Sequence, residues 1–222
     1  MQTLVKQVST PLHWSAGVDE VGRGALFGPV VAAAVILTDE AAQELKILGV
    51  RDSKQLSAPR RQELAIAIRA LAVDCKIGLA SVREIDRMNI LWASLLAMKR
   101  AVLKLTPTPT LCRVDGNRAI PDLAIPQETL VKGDQRDCAI ASASILAKVW
   151  RDALISRLDQ RYPAYGLSAN KGYGSPKHLQ ALAQWGATTQ HRRSFRRCAE
   201  ALQEEALRKQ ELLLFSYTEN KA

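Results

Sequence analysis

Apolar residues recur along the chain with two different periods, which predict an alternation of strands and helices. Short runs rich in valine, isoleucine and alanine are typical of strands, whereas apolar residues three or four positions apart indicate one face of a helix. The first pattern predicts strands at residues 16–21, 30–37, 74–82, 111–115 and 129–132. The second predicts helices at residues 59–71, 85–105, 137–158, 176–185 and 198–215.

The predicted helix over residues 137–158 is the most regular of these elements. Ala139, Ala143 and Ala147 recur every four residues, so one face is nearly flat and allows a close neighbour. Along the chain, the predicted elements are mainly strands at first, then alternating strands and helices, and finally helices alone. This order favours an α/β core with a helical C-terminal extension. We therefore divide the chain into a main domain, residues 14–197, and a helical tail, residues 198–222.

The overall charge narrows the classes of partner. The chain has 222 residues, of which 47% are hydrophobic, an ordinary value for a globular protein. The formal net charge is +9 at neutral pH. Such a basic balance favours polyanionic partners, nucleic acid first, although many basic proteins bind no nucleic acid.

The cysteines and the apolar runs predict a cytoplasmic protein. The four cysteines are far apart and form no Cys-x-x-Cys pair, so we expect reduced thiols rather than a zinc site or a disulfide framework. They are Cys75, Cys112, Cys138 and Cys198. The stretch before Trp14 lacks the pattern of a signal peptide, and the longest apolar run, residues 25–37, is too short to span a bilayer. We expect no membrane association, and a monomer by default.

Four acidic residues lie at the ends of three predicted strands. Asp19 and Glu20 are adjacent near the end of the first strand, Asp115 closes the fourth, and Asp134 follows the fifth. Adjacent acids in an apolar strand are unusual because burial of charge is costly. Neighbours in an extended strand point to opposite faces, so both can serve one site only if the strand bends or ends there. The glycines that follow the first strand make such a bend plausible.

Each of these acids also has an ordinary structural interpretation. Asp19 and Glu20 could form a solvated strand end, Asp115 could bond its own turn, and Asp134 could cap the following helix. If the three strands are neighbours, however, the carboxylates converge, and convergent carboxylates repel one another unless divalent cations neutralise them. Oxygen ligands without histidine or cysteine favour Mg²⁺ or Mn²⁺. Such ions, completed by water and substrate phosphate, are typical of phosphoryl-transfer sites.

Six blocks of the chain resemble the ribonuclease HII family, and they occur in the family's order. They are AGVDEVGRG at residues 16–24, DSKQLS at 52–57, VDGN at 114–117, KGD at 132–134 continued by IASASILAKV at 140–149 with Arg151 and Asp152, KGYG at 171–174, and HRRSF at 191–195. Six blocks in order are far more specific than any single block. Ala25 stands where the family commonly has proline, and Trp150 where a small polar residue is common. Neither departure replaces a functional group.

The resemblance implies a ribonuclease H-like fold, a mixed β-sheet flanked by helices with a helical C-terminal part. Residues 14–197 would then be the catalytic domain, while the motifs leave the tail over residues 198–222 unexplained. It implies a catalytic site for Mg²⁺ or Mn²⁺ formed by Asp19, Glu20, Asp115 and Asp134. It implies endonucleolytic cleavage of the RNA strand of RNA–DNA hybrids and at single ribonucleotides in duplex DNA, leaving 5′-phosphate and 3′-hydroxyl ends.

Further residues are predicted to contact the substrate. The glycines of Gly22-Arg23-Gly24 expose backbone polar groups, which can bond a 2′-hydroxyl because that group both donates and accepts. The resemblance implies that Tyr173 places its ring against the sugar at an RNA–DNA junction, although it could be an ordinary half-buried tyrosine. Candidate phosphate contacts are Lys54, Lys148, Lys171, Arg192 and Arg193, each of which could also be a solvated side chain.

Other functions fit the sequence less well. The glycines after the first strand invite a dinucleotide-binding interpretation, but the third glycine of that motif would fall on Phe27. A metal-free ribonuclease would use two histidines, and we expect His13, His178 and His191 to lie in unrelated segments. A DNA-specific nuclease of the same fold and a non-catalytic nucleic-acid-binding domain stay open. Cleavage at one ribonucleotide in duplex DNA separates the first, and metal-dependent turnover separates the second.

Overall fold

The computed structural model describes residues 13–51 and 53–219, and a five-stranded sheet lies at its centre. The strands are β1 (Ser15–Val21), β2 (Val30–Ile36), β3 (Asp74–Ala80), β4 (Leu111–Asp115) and β5 (Gln127–Leu130). Their order across the sheet is β3-β2-β1-β4-β5. The strands β3, β2 and β1 pair antiparallel, whereas β1, β4 and β5 pair parallel. The sheet is therefore mixed, as the resemblance implied.

Helices cover both faces of this sheet and form the C-terminal region. Those in the described part of the chain are α1 (Asp39–Ile47), α2 (Ala58–Leu71), α3 (Val82–Val102), α4 (Cys138–Asp159), α5 (Leu167–Asn170), α6 (Pro176–Trp185) and α7 (Arg196–Glu219). Ser57, Asp137 and Ser175 cap α2, α4 and α6 by accepting a backbone N–H in the first turn. Short 3-10 helices lie at Ser53–Gln55, Gly133–Gln135 and Pro163–Tyr165.

All the predicted strands and helices are present, with some ends displaced by a few residues. The boundary between β3 and α3 shows the reason. The apolar period alone predicted that α3 begins at residue 85, three residues after its first residue, Val82. Ser81 begins α3 with a capping box, in which its hydroxyl accepts the N–H of Glu84 and the Glu84 carboxylate accepts the N–H of Ser81. Helix α1 was not predicted, since Ala41 and Leu45 are its only buried residues.

The apolar core consists of two layers on opposite faces of the sheet. Helix α3 packs on one face, while α1, α2 and α4 cover the other. Helix α4 crosses β1 so closely that a Cβ added to Gly17 would lie 2.2 Å from the carbonyl carbon of Ala139. The predicted flat face is confirmed, since Ala143 and Ala147 are fully buried. This contact brings side chains of α4 to the end of β1, where the acidic residues lie.

The C-terminal region is helical, as predicted, and packs against the loop between β1 and β2. Leu26 of that loop forms a buried cluster with Leu182, Cys198 and Ala201. The first turns of α7 therefore belong to the packed body, although our domain boundary assigned residues from 198 onward to the tail. The four cysteines are free thiols. Among the described helices, none has the length and apolar character needed to cross a membrane.

Candidate active site

Two neighbouring strands end side by side and bring three carboxylates to one cleft. Strands β1 and β4 run parallel, with Val18 opposite Val114. The next residues, Asp19 and Asp115, consequently lie on adjacent strands at the same edge of the sheet. Together with Glu20 they line a cleft of about 360 Å³. The structure thus brings together three of the four predicted acids.

Asp19 is held in place by hydrogen bonds from its own strand and from α4. One of its oxygens accepts the backbone N–H of Glu20 at 2.7 Å, and its carboxylate also bonds the hydroxyl of Ser144. The Ser144 hydroxyl in turn lies 2.9 Å from that of Ser53. Glu20 lines the same cleft although it is the adjacent strand residue, because β1 ends one residue later, at Val21.

Burial and repulsion oppose ionisation of these carboxylates. Burial, and then the charges of Glu20 and Asp115, raise the pKa of Asp19 well above its usual value. Burial also raises the pKa of Glu20, an effect that is opposed by the Arg23 guanidinium 3.2 Å away. Arg23 is half exposed, and it contacts only one of the three carboxylates. A bound cation would therefore stabilise the cluster.

The donors in this cleft fit a hard divalent cation. The charged donors are carboxylate oxygens, and no histidine or cysteine is found among the described residues that line the cleft. Among the side chains that the structure describes, no three from Asp, Glu, His or Cys are arranged to hold an ion by themselves. Mg²⁺ or Mn²⁺ suits this arrangement, because such ions take one or two protein carboxylates and complete their shell with water and substrate phosphate.

Asp134 lies beside the cleft rather than in its lining. It is buried in the short 3-10 helix after β5, with its carboxylate 3.5 Å from the ammonium of Lys54, which does line the cleft. Asp134 does not cap α4, because Asp137 accepts the N–H of Ile140 and fills that position. The Asp115 carboxylate accepts the N–H at residue 133 at 2.7 Å, so it bonds across to this segment. Asp134 is thus the residue that follows the backbone N–H bonded to Asp115, which places it next to the carboxylate cluster.

The loop after β1 presents backbone to the cleft, as predicted. Gly22 has a φ of +90°, and a Cβ there would lie 2.2 Å from Nε of Arg151. A Cβ at Gly24, by contrast, would meet nothing within 4 Å. Tyr173 lines the same cleft and is 36% exposed. Both predicted sugar-contacting elements therefore border the carboxylates.

A fully buried arginine on α4 fastens this loop to the segment that carries Tyr173. Arg151 donates hydrogen bonds to the carbonyl oxygens of Phe27 at 3.0 Å, Pro29 at 3.1 Å and Lys171 at 2.9 Å. Its guanidinium carbon also lies 5.5 Å from the centre of the Tyr173 ring. Arg151 was part of a recognised motif, but sequence reasoning gave it no role.

Arg192 was predicted to contact phosphate, and its position contradicts that prediction. The side chain is fully buried. It donates to the carbonyl oxygen of Arg23 at 2.7 Å and to that of Gly28 at 3.0 Å. Its guanidinium therefore supports the loop after β1 from the inside and is not presented to a phosphate at the surface.

The other predicted phosphate contacts are accessible but occupy different places. Lys54 and Lys148 line the carboxylate cleft, and Lys148 pairs with Asp152 at 2.9 Å. Lys171 is partly buried, with its ammonium 2.6 Å from the hydroxyl of residue 156. Arg193 is exposed and lines a separate, larger cleft of about 950 Å³. The carboxylate cleft thus holds two of the five basic candidates.

One helix face explains two residues that sequence reasoning left without a role, Ser144 and Arg151, together with the predicted phosphate contact Lys148. Ser144, Lys148 and Arg151 are spaced by four and three positions on α4, so they share the face that looks toward the cleft and its loop. The signal was present in the sequence, as polar side chains at helical spacing within the most apolar helix. Ser53 could not be found in this way, because only the fold brings it to Ser144.

The expectation that the histidines lie in unrelated segments was wrong for two of them. The Nε2 atoms of His178 and His191 are 3.1 Å apart, and both side chains are fully buried. Neither lines the carboxylate cleft. The pair therefore gives no support to a metal-free ribonuclease mechanism based on two histidines.

Comparison with known sequences shows a similarity that covers most of the chain. The profile of the family described as Ribonuclease HII matches residues 16–198. A Ribonuclease HII of Acaryochloris marina (strain MBIC 11017) is 64% identical over 187 residues, which are 84% of this chain and 94% of that protein. A Ribonuclease HII of Trichodesmium erythraeum (strain IMS101) is 62% identical over 188 residues, covering 85% of this chain and 89% of that protein.

Comparison with solved structures shows that the fold is similar too. The ribonuclease H2 from Pyrococcus horikoshii OT3 aligns with a TM-score of 0.73 and 28% identity, over 88% of this chain and 99% of that one. The RNase HII from Archaeoglobus fulgidus, solved in a complex with PCNA, aligns with a TM-score of 0.68 and 31% identity, over 80% of this chain and 91% of that one.

Proposed function

The chain belongs to the ribonuclease HII family, and from this premise we propose that it hydrolyses RNA at the cleft lined by Asp19, Glu20 and Asp115. The protein is a ribonuclease H enzyme, and this family acts on the RNA strand of RNA–DNA hybrids. Membership removes the two alternatives that the sequence left open, a DNA-specific nuclease and a non-catalytic nucleic-acid-binding domain. The main observation in support of the proposed site is that three carboxylates line one cleft at the ends of two adjacent strands.

We propose that Asp19, Glu20 and Asp115 hold Mg²⁺ or Mn²⁺, with Asp134 as a fourth carboxylate alongside. Such an ion supplies charge stabilisation at the scissile phosphate and lowers the pKa of water. The chain contributes position: the paired ends of β1 and β4 fix the spacing of the carboxylates, and the Ser144 hydroxyl fixes the orientation of Asp19. Ligands held in this way need little rearrangement when substrate binds.

The finer part of the proposal is incision at single ribonucleotides in duplex DNA, which leaves 5′-phosphate and 3′-hydroxyl ends. The support is the open space at Gly24 beside the carboxylates, where backbone groups can bond a 2′-hydroxyl. Tyr173 borders the same cleft, so its ring can fill the space that a second 2′-hydroxyl would occupy. The enzyme would then cut where a ribonucleotide is followed by a deoxyribonucleotide.

A cleavage assay on three end-labelled duplexes tests the proposal. One carries a single ribonucleotide, one is a long RNA–DNA hybrid and one is all DNA, and each is incubated with Mg²⁺, Mn²⁺ or EDTA. We expect cleavage of the first two only, dependent on the metal, with products that a DNA ligase rejoins on a splint. Cleavage of the all-DNA duplex, activity in EDTA, or cleavage of the long hybrid alone would contradict it.

The assay also tests the role of Tyr173. We expect Tyr173→Ala to lower cleavage at a single ribonucleotide more than cleavage within a long hybrid, because only the first substrate depends on one junction. Trp185→Ala is a suitable control, since this aromatic side chain is 62% exposed and does not line the cleft. Equal losses on the two substrates for Tyr173→Ala would show that the ring only packs.

A further inference from the structure

His178 and His191 form the middle of a buried chain of hydrogen bonds that ends on the backbone of Tyr173. The Nδ1 atom of His178 lies 2.8 Å from the carbonyl oxygen of Tyr173. The Nε2 atoms of the two histidines are 3.1 Å apart. At the far end, Nδ1 of His191 accepts the backbone N–H of Thr188 at 3.0 Å.

The two ends of this chain determine where its protons are. A carbonyl oxygen can only accept, so His178 carries a proton on Nδ1. A backbone N–H can only donate, so Nδ1 of His191 carries none. One proton must then lie between the two Nε2 atoms. Placing it on His178 would make an imidazolium beside an imidazolate, so it belongs to His191, and both rings are neutral.

The pair also connects Tyr173 with the loop after β1. His191 pairs with Phe27 through an isolated antiparallel bridge, and the two rings meet edge to face at 5.0 Å. The neighbouring Gly28 N–H donates to the carbonyl oxygen of Gln190 at 2.8 Å. The histidines thus link the backbone of Tyr173, through His178, to Phe27 in the loop after β1, through His191.

We propose that His178 and His191 are positioning residues that fix the height of Tyr173 over the carboxylate cleft and thereby set selectivity for the RNA–DNA junction. The proposal rests on the proposed role of Tyr173. The Tyr173 carbonyl accepts from His178 and from the N–H of Ser175 at 2.8 Å, so any rotation of this peptide leaves a buried donor unpaired. A displacement of about 1 Å at a positioned group can cost on the order of a hundredfold in rate, so the position of this ring matters.

Two substitutions at one position separate the two halves of the chain of hydrogen bonds. The side-chain amide nitrogen of asparagine reaches the place of Nδ1, whereas that of glutamine reaches the place of Nε2. His178→Asn should keep the bond to Tyr173 and stay within about threefold of the wild type in kcat/KM at a single ribonucleotide. His178→Gln should lose that bond and fall about tenfold, with a much smaller loss on a long hybrid.

A double-mutant cycle shows whether the histidine acts through Tyr173. In a Tyr173→Ala background, His178→Gln should cause no further loss at a single ribonucleotide. Losses that multiply, or equal losses for His178→Asn and His178→Gln, would overturn the proposal. If Tyr173→Ala itself shows no selective loss, the failure lies in the proposed role of Tyr173 and is visible before the histidines are changed.

The proton assignment is tested on the wild-type protein, so it does not depend on whether a variant folds. The chain has three histidines, and the exposed His13 serves as an internal reference in ¹⁵N NMR. At pH 7 we expect His178 protonated on Nδ1 alone and His191 on Nε2 alone. A charged ring, or the opposite tautomer at either residue, would overturn the positioning proposal without touching the proposed cleavage activity.

Discussion

In the cleft at the ends of β1 and β4, Asp19 and Glu20 are buried next to Asp115, and burial and repulsion raise the pKa of the first two. In the C-terminal region, His178 and His191 are fully buried, and burial lowers the pKa of both, to about 3 for His191. Both regions therefore disfavour the charged form of their side chains. They differ in whether any charge is left without a partner once the hydrogen bonds are formed.

The histidine pair leaves nothing unsatisfied, because each ring nitrogen has a partner and neither ring is charged. The carboxylates repel one another, and the half-exposed Arg23 contacts only Glu20. The histidine pair is complete without a ligand, whereas the carboxylate cleft is stabilised by a cation. A buried cluster whose charges the surroundings leave uncompensated therefore points to a bound ligand, whereas a buried polar pair with complete hydrogen bonds does not.

Removing one carboxylate should have the largest effect on activity. We expect Asp19→Asn and Asp115→Asn, and in the same way Glu20→Gln, to lower turnover on the order of 10³-fold, because transition-state charge stabilisation is lost. In EDTA, Asp19→Asn should unfold at the same temperature as the wild type or higher, since a repelling charge is gone. Addition of Mg²⁺ should raise the unfolding temperature of the wild type more than that of the variant.

Asp134→Asn sharpens this test, because Asp134 lies beside the cleft. We expect a loss of turnover larger than tenfold but smaller than that of Asp19→Asn, since Asp134 lies outside the cleft lining and pairs with Lys54, which lines it. Asp159→Asn is the control, because its carboxylate accepts the N–H of Leu167 and does not line the cleft. Near wild-type turnover of Asp19→Asn or Asp115→Asn in Mg²⁺ would remove the metal-site assignment.

Two alanine substitutions in one loop separate stability from catalysis. Gly22→Ala forces a side chain onto a φ of +90° and against Arg151, so it should lower the free energy of unfolding by about 2–4 kcal/mol. Gly24→Ala meets no atom within 4 Å and should leave stability nearly unchanged. It should nevertheless lower turnover on both RNA-containing substrates, because the new methyl group occupies the space of the sugar. Urea unfolding and steady-state kinetics on both variants check this contrast, and wild-type turnover of Gly24→Ala would contradict it.

The histidine pair should make stability depend on pH. An unfolded histidine has a pKa of about 6.5, whereas burial lowers the pKa of His191 to about 3. Between these values the unfolded chain binds more protons, so the pair's contribution is complete above about pH 6.5 and is lost as the pH falls toward 3. In urea unfolding from pH 7 to pH 4.5, His191→Gln should show a smaller fall in unfolding free energy than the wild type. His13→Gln, at an exposed site, is the control, and equal slopes for wild type and His191→Gln would refute the prediction.

The smallest expected effect concerns salt and the basic surface. Binding of a hybrid should weaken as salt rises, because phosphate contacts release counterions. Lys54→Gln, at the carboxylate cleft, should reduce the slope of log affinity against log salt by about one. Arg193→Gln tests whether the nucleic acid also reaches the larger cleft, and an unchanged slope would exclude Arg193 as a phosphate contact. A flat salt response of the wild type would remove the electrostatic part of the proposal.

The sequence alone determined the elements and the acids, because both depend on local pattern. The period of apolar residues located β1, β4 and α4, and Asp19, Glu20 and Asp115 stood out as charges at strand ends. The motifs identified the family, and hence the mixed sheet and the activity on hybrids. Even the cleft-facing side of α4 was encoded locally, in the spacing of Ser144 and Lys148.

Only the tertiary structure decided which polar residues share an environment. Arg192 and Arg193 are neighbours in sequence and equally basic, yet one is fully buried against backbone carbonyls and the other is exposed at a different cleft. His178 and His191 are 13 residues apart in the sequence, and only the fold brings their Nε2 atoms to 3.1 Å from each other. These outcomes depend on which loops pack together over long separations in the chain, and neither hydrophobic period nor residue type contains that information. The physical reason is that a long polar side chain has the same local propensity whether its partner is water, a phosphate or a buried carbonyl, and packing alone selects the partner.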